Sequence, residues 1–511
     1  MTATMARPET DRSNTLVVFA GLLLAMFISA LDQTIMATAL PTIAGDLGGL
    51  SQLTWVVTVY VLAAAATTPV WGKLSDQFGR KGLLQAAIAT FLVGSVLSGI
   101  ATSIGELIAF RALQGIGGGG LMTLAMATVG DIVSPRERGR YQGYIQSVFV
   151  LASVAGPLLG GVFVDHLSWR WVFYLNVPIG AVALTLLRHQ PAVVAHRREA
   201  RIDVLGAGLL AAAISAGMLV TVWGGDRYAW GSPELLGLAA VALALLGAFV
   251  WQEHRAAEPV LPLRLFRDRV FVVVGIGAFL ATLSLFAAIV FMPLFFQLVT
   301  GATATTSGLL IIPMLLTSTI STIASGRIMA RTGRYKIFPV IGFAIMCLGL
   351  ALLSTVDASS GRGPAIAYLC VFGLGFGSVT QVLVVAIQNT VDRREIGTAT
   401  ASVNLFRAIG GSLGVAVYGA VFAGGMRHWL PRRLGDHLPD GVDAHGIQTS
   451  PDHIRALPAG VQHGIAQSVA DALHLVFLTA APVAAAGFLV VLYLRERPLR
   501  RDSAPSRKES S

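Results

Sequence analysis

The sequence predicts an all-α integral membrane protein, with fourteen spanning helices arranged as two six-helix bundles and an inserted pair between them. Three observations carry that expectation. Of the 511 residues, 54% are hydrophobic and 13% charged, with a mean hydropathy of +0.71. A soluble domain keeps about 25% of its residues charged because its surface faces water. Fourteen apolar stretches approach or exceed the roughly 20 residues that a spanning helix needs. Short motifs also recur at offsets of 254 and 258 residues.

After a segment 1–15, the first bundle covers 16–187 with spans at Leu16–Leu40, Thr54–Val70, Leu83–Ala101, Leu107–Gly130, Gly143–Val164 and Val172–Leu187. The first span holds Asp32 and has no small-residue cleavage site behind it, so it reads as a permanent helix rather than a removable signal. The inserted pair, Val204–Trp223 and Pro233–Trp251, lies within 188–269. The second bundle, 270–494, has spans at Phe271–Leu298, Ser307–Met329, Ile337–Thr355, Pro364–Asn389, Ser402–Phe422 and Leu473–Leu494, with an outer loop at 423–472 and a tail at 495–511.

Charge sets the orientation, because cytoplasmic connections collect Lys and Arg. With the N-terminus inside, inner segments hold 28 of the 37 basic residues and outer segments 7, while Arg111 and Arg407 fall within spans. Both termini are then cytoplasmic. The net charge of +10 becomes a topology signal, so it gives no support to nucleic-acid binding. All eight tryptophans sit at span ends or in connections, as an interfacial belt requires. Cys347 and Cys370 lie in apolar stretches and offer no disulfide framework.

The repeat pairs the first six spans with the last six. Gly72 with Gly79-Arg80 is echoed by Gly326 with Gly333-Arg334, and Gly115-Ile116-Gly117 by Gly373-Leu374-Gly375. Arg136-Glu137-Arg138-Gly139 is echoed by Arg394-Glu395-Ile396-Gly397. Two similar bundles suit a transporter that exposes a central site by rocking one half against the other.

Asp32 is the sharpest chemical signal, since an ionisable group in a span costs about 2.5–3.5 kcal/mol on insertion scales and so faces a cavity or a partner. Counting along the spans puts Asp32 and Arg111 at comparable depth in the outer half of the first bundle. Two readings fit Asp32: a carboxylate serving protons or substrate from the central cavity, or a buried acid bonded to neighbouring helices. Arg111 likewise fits a coupling relay or a structural ion pair. Its glycine-dense helix is no phosphate loop, having neither a preceding strand nor a following Lys-Ser/Thr. Gly156-Pro157 with Gly160-Gly161 fits a bend or close packing. Gln33, Gln114, Gln146, Gln381 and Asn404 are candidates to line a substrate cavity, alongside Gln388 and Asn389, and each also fits interhelical hydrogen bonding. His428, His437, His445, His453 and His463 are irregularly spaced, which suits a solvated loop better than a metal site.

These residues resemble the major facilitator superfamily, and within it the fourteen-span drug:proton antiporter family. Gly72-Lys73-Leu74-Ser75-Asp76-Gln77-Phe78-Gly79-Arg80-Lys81 matches the superfamily signature. Arg111 with Gln114-Gly115, Gly156-Pro157 with Gly160-Gly161, and Leu31-Asp32-Gln33-Thr34 with Ala39-Leu40-Pro41 match motifs of the antiporters. Trp169-Arg170-Trp171 with Asn176-Val177-Pro178 is similar to that branch too. The resemblance implies a major facilitator fold and proton coupling through Asp32 and Arg111. It also implies an inner-face gate of Gly72, Asp76, Gly79, Arg80 and Lys81 with its echoes Gly326, Gly333 and Arg334, and a hinge at Gly156, Pro157, Gly160 and Gly161.

The expected function is export of hydrophobic, cationic or amphipathic small molecules in exchange for protons, from the inner (plasma) membrane. The proton gradient supplies the energy, no cofactor or metal is expected, and the partners are substrate, protons and membrane lipids. Family habit implies a monomer. A second expectation is export of an endogenous lipid, siderophore or secondary metabolite. A lipid-acting enzyme would need a clustered nucleophile or metal set, and none is evident in the sequence. The export mechanism expects the Asp32 carboxyl to be reachable from the central cavity.

Overall fold

The computed structural model describes residues 12–47, 53–133, 138–188, 203–225, 227–256, 258–392, 395–434 and 458–497. Arg136-Glu137 and Arg393-Arg394, the histidines at 437, 445 and 453, and the tail beyond 497 lie outside the described residues. Thirteen described helices are long and apolar enough to cross a membrane, and Trp171–Leu187 is a shorter apolar fourteenth.

In chain order the helices are α1 (Arg12–Leu47), α2 (Leu53–Phe78), α3 (Arg80–Ile100), α4 (Ile104–Ile132), α5 (Arg138–His166), α6 (Trp171–Tyr174), α7 (Asn176–Leu187), α8 (Val204–Trp223) and α9 (Pro233–Arg255). They continue with α10 (Arg269–Leu294), α11 (Ala304–Leu309), α12 (Ile312–Thr332), α13 (Ile337–Ser354), α14 (Arg362–Thr390), α15 (Ile396–Leu434) and α16 (Ala459–Leu492). Local chemistry sets several ends. Ser103 caps α4 by accepting from the Glu106 N–H at 3.2 Å, while the Glu106 carboxylate takes the Thr102 N–H at 2.9 Å. Ser232 caps α9 ahead of Pro233, and Asp268 caps α10. The tight turns α2–α3 and α12–α13 place Gly79 at φ 93° and Gly333 at φ 72°, which is why both repeats need glycine there.

The repeat is written into helix packing. On α4, a Cβ at Gly119 would lie 2.3 Å from the Ala64 carbonyl oxygen of α2, and one at Gly117 would lie 2.4 Å from the Phe91 nitrogen of α3. On α14, a Cβ at Gly377 would lie 2.0 Å from the Ser318 carbonyl oxygen of α12, and one at Gly375 would lie 2.5 Å from the Gly342 carbonyl oxygen of α13. Each central helix thus uses alternate glycines to bring two neighbours to backbone contact, where association in lipid depends on van der Waals packing. Gly377→Ala is expected to cost at least about 1–3 kcal/mol by overpacking. A thermal-unfolding scan of the purified variant in detergent measures this.

The expected outer loop at 423–472 is corrected. α15 continues to Leu434 and α16 starts at Ala459, so most of that stretch is helix. Hydropathy ends where the hydrocarbon ends, but the two helices go on together. Gly425 packs on Ala472, and Arg433 holds Asp471 at 2.5 Å and Gln467 at 2.6 Å. The inserted pair is placed by α8, which packs against α2 and α15 at the seam between the two bundles.

Candidate functional site

Asp32 and Arg111 meet inside the first bundle. Arg111 Nη1 donates to Asp32 Oδ2 at 2.6 Å and to Gln114 Oε1 at 2.8 Å, and its Nε reaches the Val56 carbonyl at 3.3 Å. Asp32 Oδ1 accepts from Gln114 Nε2 at 2.8 Å and from Asn176 Nδ2 at 3.4 Å. Ser95 braces both amides, at 3.3 Å from Gln114 Nε2 and 2.9 Å from Asn176 Nδ2. Asp32, Arg111, Gln114, Ser95 and Asn176 are all buried, so four helices converge on one ion pair. In such surroundings an ion pair persists only when its remaining hydrogen-bonding capacity is met. Asn176 begins α7, just after the Trp169-Arg170 corner that ties to α1, where Trp169 Nε1 donates to Asp46 at 2.8 Å.

A cavity of about 1510 Å³ lies between the halves. Gln33, Gln146, Gln381 and Asn404 line it as expected, together with Arg407. Two expectations are corrected here. Gln114 is absent from the lining, because it is turned into the ion pair. Asp32 is absent too, fully buried behind Tyr60, Ser29 and Gln33, which do line the cavity. The Tyr60 ring sits 4.3 Å from the Arg111 guanidinium carbon, and its hydroxyl lies 3.4 Å from Ser29 Oγ. The acid therefore stands one side chain behind the wall. Among the described residues a cationic cargo finds no counter-charge in the cavity, where the charged lining residues are Arg407 and Arg427.

Sequence reasoning missed several wall residues. Tyr60 looks like any core aromatic until α4 places Arg111 beneath it. Met218, Thr221, Tyr228 and Trp230 bring the inserted pair into the cavity lining, and Thr221 Oγ1 meets Ser412 Oγ at 2.5 Å. Their positions at and just beyond the end of α8 were the only available signal.

The cavity is sealed at the end rich in Lys and Arg and open at the opposite end, where Trp230 and Arg427 line it. The seal centres on Asp76. Its Oδ1 accepts from the Gly397 N–H at 2.9 Å, and its Oδ2 from the Thr398 N–H at 2.7 Å and hydroxyl at 2.9 Å. A carboxylate from one half thus caps the first turn of α15 in the other, where unpaired N–H groups and the helix dipole favour negative charge. Arg80 stands 3.1 Å from Asp76 and also pairs with Asp131 of α4. Gly72 permits the approach, since a Cβ there would lie 2.5 Å from the Ala401 Cβ. Lys81 stays within its own half, donating to the Arg188 carbonyl at 2.7 Å.

Deeper, two bonds cross the interface in mirrored fashion. Asn404 Nδ2 donates to Thr123 Oγ1 at 3.2 Å, and Gln381 Nε2 to Gln146 Oε1 at 3.4 Å. Thr123 and Gln381, like Gln146 and Asn404, are separated by the repeat offset of 258 residues. Gln388 Nε2 adds a bond to the Met126 carbonyl at 3.3 Å.

The expected second gate is corrected. Gly333 and Arg334 form the α12–α13 turn and Gly326 is buried within α12, but among the described residues Arg334 makes no ion pair, and Ala330 stands where the repeat would need the counterpart of Asp76. At the expected hinge the glycines differ in what they touch. A Cβ at Gly156 would lie 2.2 Å from Thr34 Oγ1, and one at Gly160 would lie 2.0 Å from Thr38 Oγ1, so both seat α5 on α1, whereas Gly161 faces open space. Gly160→Val is expected to cut the yield of folded protein severalfold and Gly161→Ala to leave it unchanged, as read by size-exclusion chromatography of membrane extracts.

Comparison with known proteins agrees with this architecture. The Major Facilitator Superfamily profile matches residues 22–415. The chain is 40% identical over 483 residues to an uncharacterised MFS-type transporter of Mycobacterium tuberculosis, covering 94% of this chain and 70% of that one. It is 34% identical over 524 residues to the multidrug transporter protein MdtP of Bacillus subtilis, covering 98% and 97%. Among solved structures, the human organic anion transporter MFSD10 superposes with a TM-score of 0.59 at 15% identity, covering 95% of this chain and all of that one. That likeness speaks for the fold and for no substrate. The chain belongs to the major facilitator superfamily of multi-pass membrane transporters, and it has a multidrug transporter among its close relatives.

Proposed function

We propose that this drug-efflux relative is a proton-coupled antiporter that exports hydrophobic and amphipathic small molecules by alternating access. The observation that carries the reading is one cavity, latched at the basic end and open at the other, with a buried Asp32–Arg111 pair directly behind its wall. The basic end is taken as cytoplasmic, in the inner (plasma) membrane, so this state faces outward.

In the outward state the wall residues Tyr60, Ser29 and Gln33 separate cargo from the acid. Protonation of Asp32 would cancel its attraction for Arg111 and free the guanidinium, loosening Tyr60 above it. The wall and the ion pair share α1, so a change in one alters the other. Linkage then requires that bound cargo weaken proton binding by the factor by which the proton weakens cargo binding. Protein monomers, protons, cargo and surrounding lipid suffice for this scheme, with the proton gradient as the energy source.

The test is efflux from proteoliposomes under an imposed pH gradient. Export of an amphipathic dye that rises with the gradient and stops when it is collapsed supports the reading. Export indifferent to the gradient sinks it.

A further inference from the structure

We propose that Arg407 is an anion-binding residue, and that the cavity selects amphipathic molecules bearing an acidic group. This inference deepens the export reading above and rests on it. Arg407 lies on α15 and is half-buried at the cavity wall. Its Nη2 donates to the Thr380 carbonyl at 2.5 Å, and its buried Nε has no hydrogen-bond partner. Among the described residues no carboxylate pairs with it. A cation in a membrane span normally has a counter-charge, and one without it is held at a cost that an incoming anion offsets.

The surroundings agree. Every charged residue in the described lining is an arginine: Arg407 at depth, and Arg427 at the mouth, about 30 Å further along α15 at 1.5 Å per residue. Asp32 contributes no negative counterweight, because Arg111 neutralises it and Tyr60 covers it. The side-chain amides of Gln381 and Asn404 share the polar floor with Arg407, while Phe149, Phe286 and Phe376 supply apolar walls. A guanidinium beside aromatic walls fits a carboxylate or sulfonate carried on a hydrophobic body. With Nη2 held by the Thr380 carbonyl and Nε buried, Nη1 is the donor left for such a group.

The test uses the full-length protein in lipid nanodiscs, with empty nanodiscs as the blank. Equilibrium dialysis measures three probes: anilinonaphthalene sulfonate, its neutral counterpart phenylnaphthylamine, and the cation tetraphenylphosphonium. The sulfonate is expected to bind about tenfold more tightly than the neutral probe, with the cation weakest. Arg407→Gln is expected to erase that ratio while keeping the affinity for the neutral probe, and Arg407→Lys to restore part of it. A purely structural Arg407 would change all three affinities together, and that result overturns the proposal. So does a wild-type protein that binds sulfonate and neutral probe equally, or binds neither above the blank. Should Arg407→Gln not fold, the wild-type ratio and Arg407→Lys decide. The same probes in proteoliposomes separate the two readings. Gradient-driven export of the neutral probe without sulfonate preference overturns the anion site alone. Sulfonate preference without gradient-driven export of any probe overturns the antiporter reading and leaves the site standing.

Discussion

Asp32→Asn and Arg111→Gln are each expected to abolish gradient-driven export and to destabilise the protein by about 3–5 kcal/mol. Each substitution strands its partner's charge in a site where Asp32 and Arg111 are at most 1% exposed. The double variant is expected to regain part of the stability and none of the coupling, because the residual cluster of Gln114, Asn176 and Ser95 can still hydrogen-bond neutral amides. Thermal unfolding of the three variants in one detergent reads the stability, and proteoliposome efflux reads the coupling. Simple additivity of the two single losses would show that the pair does not act as a unit.

Asp76→Ala is expected to open the latch. It removes three hydrogen bonds from the carboxylate to the first turn of α15, and bonds to a charged group contribute about 1.5–3 kcal/mol each. Even a net loss of about 3 kcal/mol moves a two-state equilibrium about a hundredfold. A cysteine placed at Gln388, in a protein whose Cys347 and Cys370 have been replaced by alanine, reports the change. Membrane-impermeant maleimide applied from the basic face is expected to label it slowly with Asp76 present and quickly with Asp76→Ala. Equal labelling would mean that Gly72–Ala401 packing, and not the carboxylate, holds the end shut.

Much of this architecture was legible in the sequence because each clue had a local physical cause. Asp32 and Arg111 stood out as charges within apolar stretches, and their equal depth followed from counting residues along antiparallel spans. The paired glycines of α4 and α14 marked the repeat because only glycine admits backbone contact at Gly119 and Gly377. What escaped depends on how distant segments meet. Asp32 was expected in the cavity, yet Tyr60 covers the pair, a fact set by how α2 sits against α4. The sequence reading placed the inserted pair between the bundles without a role in the cavity, and α8 packs on α2 and α15 and helps wall it. The outer ends of α15 and α16 read as loop because hydropathy cannot see the Arg433–Asp471 clamp that keeps them helical.

The most direct test of the coupling claim is proton release from purified protein in weakly buffered solution as an amphipathic probe is added. Starting from acidified solution in which Asp32 carries a proton, the wild type is expected to release protons in proportion to bound probe, through Asp32, while Asp32→Asn binds the probe and releases none. Equal release by the variant, or saturating binding by the wild type with no pH change, would contradict the account.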